Sequence, residues 1–207
     1  MSNGVCYIAY GQVALREVGR SIASLRKVSE LPIALICEEV THYTGIQHVL
    51  FEDRSFGARR VKVKLDHLSP FDNTLYLDAD TRVQSKVIEE GFNALSQGWD
   101  LAIVPSANQD VNLFAHIDSE ERTYTSEVLE NIFPIQLQAG VMWFARTTRT
   151  EALFDAWRKE WMVFKQHDQA ALARALDKTA ARVWILGLDW NSRRGAIVDH
   201  RFGKAVA

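Results

Sequence analysis

The stretch Ser69-Pro70-Phe71-Asp72-Asn73-Thr74-Leu75-Tyr76-Leu77-Asp78-Ala79-Asp80-Thr81-Arg82-Val83 decides the fold. Its first five residues carry turn chemistry, with Ser, Pro, Asp and Asn together. Thr74 to Leu77 then read as a buried strand that runs straight into Asp78. In open α/β sheets the C-terminal ends of strands are where ligands bind, so a strand ending in two acids predicts a site there. Asp78 and Asp80 lie one residue apart and would point to opposite faces of a continuing strand. At a strand end the chain turns, and both can converge on one ligand. Carboxylates held that close repel each other unless a cation sits between them. Mn²⁺ or Mg²⁺ suits the pair, being a hard, oxygen-seeking ion held by carboxylates and substrate phosphates. The bare tripeptide is also compatible with a solvated acidic turn.

Upstream, Val5 to Ala9 is a short apolar run flanked by Gly4 and Gly11 and reads as a strand. Ala14, Leu15, Val18, Ile22 and Leu25 fall at helical spacing, predicting a helix over 14–28 that Leu31-Pro32 closes. Ile33 to Cys37 and Val49 to Phe51 read as strands, with a short helix between them. This β-α-β order with continuous apolar strands predicts a mostly parallel sheet covered on both faces. Helices are expected over 58–68, 86–96, 150–164 and 168–176, with a helical patch over 125–132. Further strands are expected over 101–104, 138–145, 183–186 and 197–198. Trp143, Trp157 and Trp161 read as core. The whole, residues 1–207, reads as one α/β domain with a nucleotide-binding half (1–105) and an acceptor-side half (106–207).

The composition is that of a globular protein: 47% hydrophobic and 24% charged over 207 residues, with net charge −2. That balance gives no general attraction to nucleic acid. Basic residues are clustered locally: Arg54, Arg59, Arg60, Lys62 and Lys64 fall within eleven positions and could face phosphates or solvent. Cys6 and Cys37 sit in apolar strands and read as two buried free thiols. The first residues show no basic leader region and no run approaches a membrane span, so a cytoplasmic location is the expectation.

The quoted stretch resembles the metal-binding segment of the glycogenin-like, family 8-type retaining glycosyltransferases, which have a GT-A fold. Further segments match in order. Gln138-Ala139-Gly140-Val141-Met142 resembles an "N-S-G-V" strand, with Gln138 and Ala139 departing from it. His167-Asp168-Gln169-Ala170-Ala171-Leu172 resembles "D-Q-x-x-L-N". Trp190-Asn191 and Val198-Asp199-His200-Arg201-Phe202-Gly203 resemble the closing "Y-N … V-x-H-F-x-G" stretch. The resemblance spans nearly the whole chain. It implies a GT-A domain, a nucleotide-sugar donor (UDP-hexose above all), a Mn²⁺ cofactor, and an acceptor that is a glycan, lipid or protein.

The resemblance also implies roles. Asp78, Asp80 and His200 would ligate the metal, a mixed carboxylate–imidazole set that favours manganese over magnesium. Asp78-Ala79-Asp80 would face the donor diphosphate. Lys62, sixteen residues before Asp78, would contact the donor, with Lys64 a close competitor. Tyr10 and Gly11 fall at the family's nucleoside contact, where an aromatic ring can stack on a base. Gln138 would touch the donor. Asp168 and Gln169 would lie beside the reacting sugar carbon and the acceptor, and Asp168 would equally suit a helix N-cap. The family's terminal phosphate lysine has no counterpart at its usual spacing: Lys204 follows Gly203 directly, and Val206 stands where the lysine falls. The chain is short for the family, which leaves 106–134 as the candidate acceptor loop.

Two rival readings remain at this level. A nucleotide-sugar-binding module without turnover fits the Gln138-Ala139 departure. A haloacid-dehalogenase-type phosphatase fits the strand-D-x-D-T pattern, with Asp78 as nucleophile and Asp80 as acid/base. Arg82 in place of Thr or Val, and the late position of the motif, count against it.

Overall fold

The computed structural model describes residues 1–51, 53, 55, 57–107, 114, 116–129 and 134–204. Four strands, β1 (Asn3–Ile8), β2 (Ile33–Cys37), β3 (Gln47–Leu50) and β4 (Asn73–Leu77), lie parallel in the spatial order β3-β2-β1-β4. Next to β4 comes β7 (Leu137–Ala145), then β6 (Leu101–Pro105) and β8 (Val183–Ile185). β7 pairs antiparallel with both of its neighbours, and β6 and β8 pair in parallel. Among the described residues the sheet has seven strands, of which only β7, the fifth in the order, is reversed, so the sheet is mostly parallel. A separate antiparallel ribbon joins β5 (Thr81–Val83) to β9 (Val198–His200).

Strand alternation divides the core into two layers. Val5 and Tyr7 of β1, Leu75 and Leu77 of β4, and Trp143 of β7 pack under helices α1 (Gly11–Leu25) and α4 (Gly91–Ser96). Cys6, Ile8, Tyr76 and Met142 face the other way, against Trp157 and Trp161 of α6 (Thr148–Phe164) and Leu172 of α7 (Asp168–Asp177). All three expected core tryptophans are at most 1% exposed. Truncating a buried tryptophan to alanine costs about 3–5 kcal/mol, so these rings carry much of the packing energy. Cys6 and Cys37 are buried free thiols.

Several elements differ from the sequence reading. Residues 38–46 form bends and irregular chain, with no helix between β2 and β3. Tyr43 holds this segment by donating its hydroxyl to the Leu15 carbonyl of α1 (2.5 Å). The helix expected over 58–68 is two short ones, α2 (Gly57–Lys62) and α3 (Leu65–Leu68). A 3-10 turn over Lys86–Glu90, capped by the Ser85 hydroxyl, precedes α4. The helical patch expected over 125–132 is α5 (Ser119–Val128), which starts six residues earlier; 130–132 lie outside the described residues. Asp118 sets that start by accepting from the Glu121 N–H (3.0 Å), and Asp-x-x-Glu is a capping pattern.

A candidate metal centre in a polar cleft

β4 delivers Asp78 to its C-terminal end, where the Asp78 N–H donates to the Gly140 carbonyl of β7 (2.8 Å). The chain then doubles back: the Thr81 N–H (3.1 Å) and hydroxyl (2.8 Å) both donate to the Asp78 carbonyl. This turn brings the two carboxylates to one side. The ribbon register sets Thr81 opposite His200 and so adds an imidazole from a residue 120 positions away. One ligand atom from each of Asp78, Asp80 and His200 lies within 4.8 Å of the other two. His200 Nε2 stands 3.2 Å from Asp80 Oδ1 and 3.7 Å from Asp78 Oδ2.

The hydrogen bonds around His200 test whether this set suits a cation. Asn191 donates its Nδ2 to the Gln138 carbonyl (3.2 Å), which leaves its Oδ1 facing His200 Nδ1 at 2.7 Å. An amide oxygen accepts, so Nδ1 carries a hydrogen, and Nε2 is the ring nitrogen turned toward the two carboxylates. Two carboxylates and one ring nitrogen that converge on one point are satisfied by a positive charge between them. A divalent cation fits this donor set, and an imidazole oriented by a neighbour is the usual company of a bound metal. Space at the cluster depends on Gly140: a Cβ there would fall 2.3 Å from His200 Cε1 and 2.7 Å from Asp78 Oδ2.

A second charged group adjoins the first. Lys62 Nζ, on α2, lies 2.8 Å from Asp168 Oδ2 and 3.1 Å from Asp78 Oδ1. Burial by itself would lower the Lys62 ammonium, but the two carboxylates outweigh it and hold it above its ordinary value. Burial likewise would raise Asp168, and Lys62 reverses this and holds the carboxyl below its ordinary value. Both groups are therefore charged near neutral pH. Tyr76 donates its hydroxyl to Asp78 Oδ1 (2.6 Å); burial first, then the Asp78 charge, hold it well above its ordinary value. Lys64 points elsewhere, over the Phe51 ring at 4.9 Å. The N-cap of α7 is His167, and Asp168, the first helical residue, uses its carboxylate on Lys62. Trp157 Nε1 anchors the Asp168 carbonyl (2.8 Å).

These groups line a cleft of about 810 Å³ at the C-terminal ends of β1 and β4. Of the residues singled out in the sequence, Lys62, Asp78, Ala79, Asp80, Gln138, Asp168, Gln169 and His200 all line it. The Gln138 and Gln169 amides are joined, Gln169 Nε2 donating to Gln138 Oε1 (2.5 Å). Tyr10 and Gly11 are not on the cleft wall; Ile8 and Ala14 border it on either side of them. Tyr10 gives its hydroxyl to the Phe51 carbonyl (2.7 Å), and Gly11 opens α1 at φ +75°. Lys204 donates its backbone N–H to Asp80 Oδ2 (3.0 Å), while the residue borders a neighbouring groove of about 440 Å³. Of the basic cluster, Arg60 pairs with Asp53 (2.9 Å), and Arg54 lies outside the described residues.

Arg59, of the basic cluster, also lines the cleft. The sequence reading gave no role to Gly140, Tyr76, Arg193, His116 or His167. The last two meet edge to face inside the cleft, ring centroids 5.3 Å apart. Burial, foremost, lowers both imidazoles and keeps them neutral near pH 7. Their only sequence signal is that His167 precedes Asp168.

A mostly parallel sheet with one reversed strand, carrying an acidic-imidazole cluster beyond a strand end, is the GT-A fold. Among solved structures it is similar to the galactosyltransferase LgtC in complex with donor and acceptor sugar analogues. That match has a TM-score of 0.68 at 14% identity and covers 97% of this chain and 87% of that one. An active-site mutant of LgtC matches with the same values. Mouse xyloside xylosyltransferase 1, in its apo form, matches with a TM-score of 0.63 at 12% identity over 92% and 87% of the two chains. Neither a family model nor a curated protein sequence matches the chain. Among the described residues no helix is long and apolar enough to cross a membrane.

Proposed function

We propose that this chain is a metal-dependent glycosyltransferase that moves a hexose from a nucleoside-diphosphate sugar, UDP-hexose above all, to a hydroxyl group of a glycan, lipid or protein acceptor, with retention at the sugar carbon. The observation that carries this reading is the convergence of Asp78, Asp80 and His200 beside the Lys62–Asp168 pair in one cleft of a GT-A fold.

Asp78, Asp80 and His200 would hold Mn²⁺ or Mg²⁺, with Tyr76 and Asn191 orienting two of them. The bound cation supplies Lewis-acid neutralisation of the diphosphate. Lys62 keeps Asp168 ionised and fixed, so a negative charge waits where positive charge develops on the sugar carbon. The Gln138–Gln169 pair leaves Gln169 Oε1 for the same carbon or for a sugar hydroxyl. Tyr10 and Gly11 belong to the β1–α1 turn that would frame the nucleoside, and Lys204 acts through its backbone by fixing Asp80. In the transfer the acceptor oxygen bonds to the sugar carbon as the carbon–oxygen bond to the diphosphate breaks. The acceptor proton leaves with the departing phosphate.

Thermal unfolding with UDP, with and without Mn²⁺, tests the reading. A ligand at 100 times its Kd stabilises by about 2.7 kcal/mol, roughly 5–10 °C for a chain of this size. The expected shift needs both UDP and metal and is lost in Asp78→Ala/Asp80→Ala. No shift with UDP, GDP or ADP in the presence of metal sinks the proposal. Nucleotide binding without hydrolysis or transfer across a panel of UDP-sugars would instead point to a binding module.

A further inference from the structure

The charges in the cleft do not balance once a donor is considered. Asp78, Asp80 and Asp168 bring three negative charges, met by Lys62 and a divalent cation. A nucleoside diphosphate then adds charge that neither is left to meet. Two other cations line the cleft, Arg59 and Arg193. Arg59 stands on the Asp168 side: its guanidinium donates to the Gln166 carbonyl (3.1 Å), and its charge acts on Asp168, His116 and His167. Arg193 stands on the metal side. Its guanidinium lies 5.9 Å from the Phe202 ring centroid, and Phe202 stacks on His200 at 3.9 Å. A cation over that ring is held loosely by its quadrupole and keeps its donors for a ligand. Among the described residues Arg193 has no carboxylate partner.

The turn that presents Arg193 is fixed on both sides. The His200 N–H donates to the Ser192 carbonyl (3.0 Å), and the Arg194 N–H donates to Asp199 Oδ1 (2.9 Å). Arg194 adopts φ 60° there, and a Cβ on Gly195 would fall 2.4 Å from the Val198 carbonyl oxygen. The same strand, β9, thus places both His200 and the base of the Arg193 turn. Arg193 also borders the outer groove, but of the cations there it is the one that reaches the cleft; Arg194, Arg201 and Lys204 border the outer groove and not the cleft.

We infer that Arg193 is the cation that binds the phosphates of the donor on the metal side of the cleft, and that the Lys204 side chain is not. The assignment rests on the nucleotide-sugar reading above. A planar guanidinium is suited to two phosphate oxygens at once, and its charge remains on the leaving diphosphate as the sugar departs.

Isothermal titration with UDP, UMP and uridine in the presence of Mn²⁺ tests it, on the wild type, Arg193→Gln and Lys204→Ala. Unchanged unfolding temperature without ligand establishes that each variant is folded. Arg193→Gln is expected to weaken UDP by about 10- to 100-fold, the size of one charge-assisted contact, to weaken UMP less, and to leave uridine unchanged. Lys204→Ala is expected to stay within about threefold of the wild type, a surface-charge effect. A wild type that binds UDP while Arg193→Gln binds it equally well overturns the assignment alone. So does equal weakening of UDP and uridine, which marks a structural role, or a loss confined to Lys204→Ala. A wild type that binds no nucleoside diphosphate overturns the nucleotide-sugar reading and this assignment with it.

Discussion

Gly140→Ala adds a single methyl group at the point where the metal cluster has no room for it. The new Cβ would lie 2.3 Å from His200 Cε1, 3.0 Å from His200 Nδ1 and 2.7 Å from Asp78 Oδ2, whereas ordinary contact begins near 3.4 Å. The imidazole must therefore retreat by about 1 Å, well beyond the ~0.2 Å within which ligand distances hold. It has little freedom to adapt. His200 is 2% exposed, bonded through Nδ1 to Asn191 and stacked on Phe202. Overpacking of this kind costs about 1–3 kcal/mol, or roughly 2–12 °C in Tm for a chain of this length. The larger effect falls on the cation. With one of three protein ligands displaced, Mn²⁺ affinity is expected to drop by at least about tenfold, the lower end of what disturbing a ligand's surroundings does. Titration of free Mn²⁺, followed by its electron paramagnetic resonance signal, reads this directly, beside melting curves without metal. Wild-type Mn²⁺ affinity in Gly140→Ala would refute the ligand set derived from Asp78, Asp80 and His200.

Three other outcomes follow from the geometry. Asn191→Ala removes the acceptor that fixes the His200 tautomer, and Mn²⁺ affinity is expected to fall about 10- to 100-fold; nitrogen NMR showing an unchanged tautomer would contradict this. Asp100 is buried, and burial would raise its carboxyl, but Arg149, the Arg182 N–H and Thr147 together hold it below its ordinary 3.8. Its stabilising contribution is therefore present above pH 3.8 and lost as pH falls through the lower folded value. Asp100→Asn should cost about 1.5–3 kcal/mol near neutral pH, with the gap to wild type closing below pH 3.8 in urea unfolding; a gap independent of pH would count against it. Burial pushes the Cys6 thiol up to about 12, so a thiol reagent at pH 8 should not label it until the chain unfolds. Rapid labelling of the native protein at Cys6 would show that β1 is not buried as described.

Much of the fold was legible because local signals and tertiary outcome agreed. The apolar runs at β1, β2 and β4, and the spacing of α1, mark elements whose buried faces repeat at periods of two and 3.6. Where packing overrode the local pattern, the reading missed. A reversed strand and a parallel one, both buried on two faces, look alike in sequence, so β7 gave no sign of its direction. The three-residue strand β5 is too short for any period, and it exists because β9 pairs with it.

The sequence by itself determined the strand that ends at Asp78, the pair of carboxylates beyond it, and, through ordered resemblances, eight of the residues that line the cleft. Only the tertiary structure decided how they meet. The β5–β9 ribbon carries His200 across 120 residues to Asp80, α2 selects Lys62 over Lys64 for the buried pair with Asp168, and Gly140 is empty because a side chain there would displace the cluster. The physical reason is that a carboxylate's neighbours in space, not in sequence, set what charge it faces. Such neighbours are fixed by sheet register and helix packing, which no stretch of local sequence encodes alone.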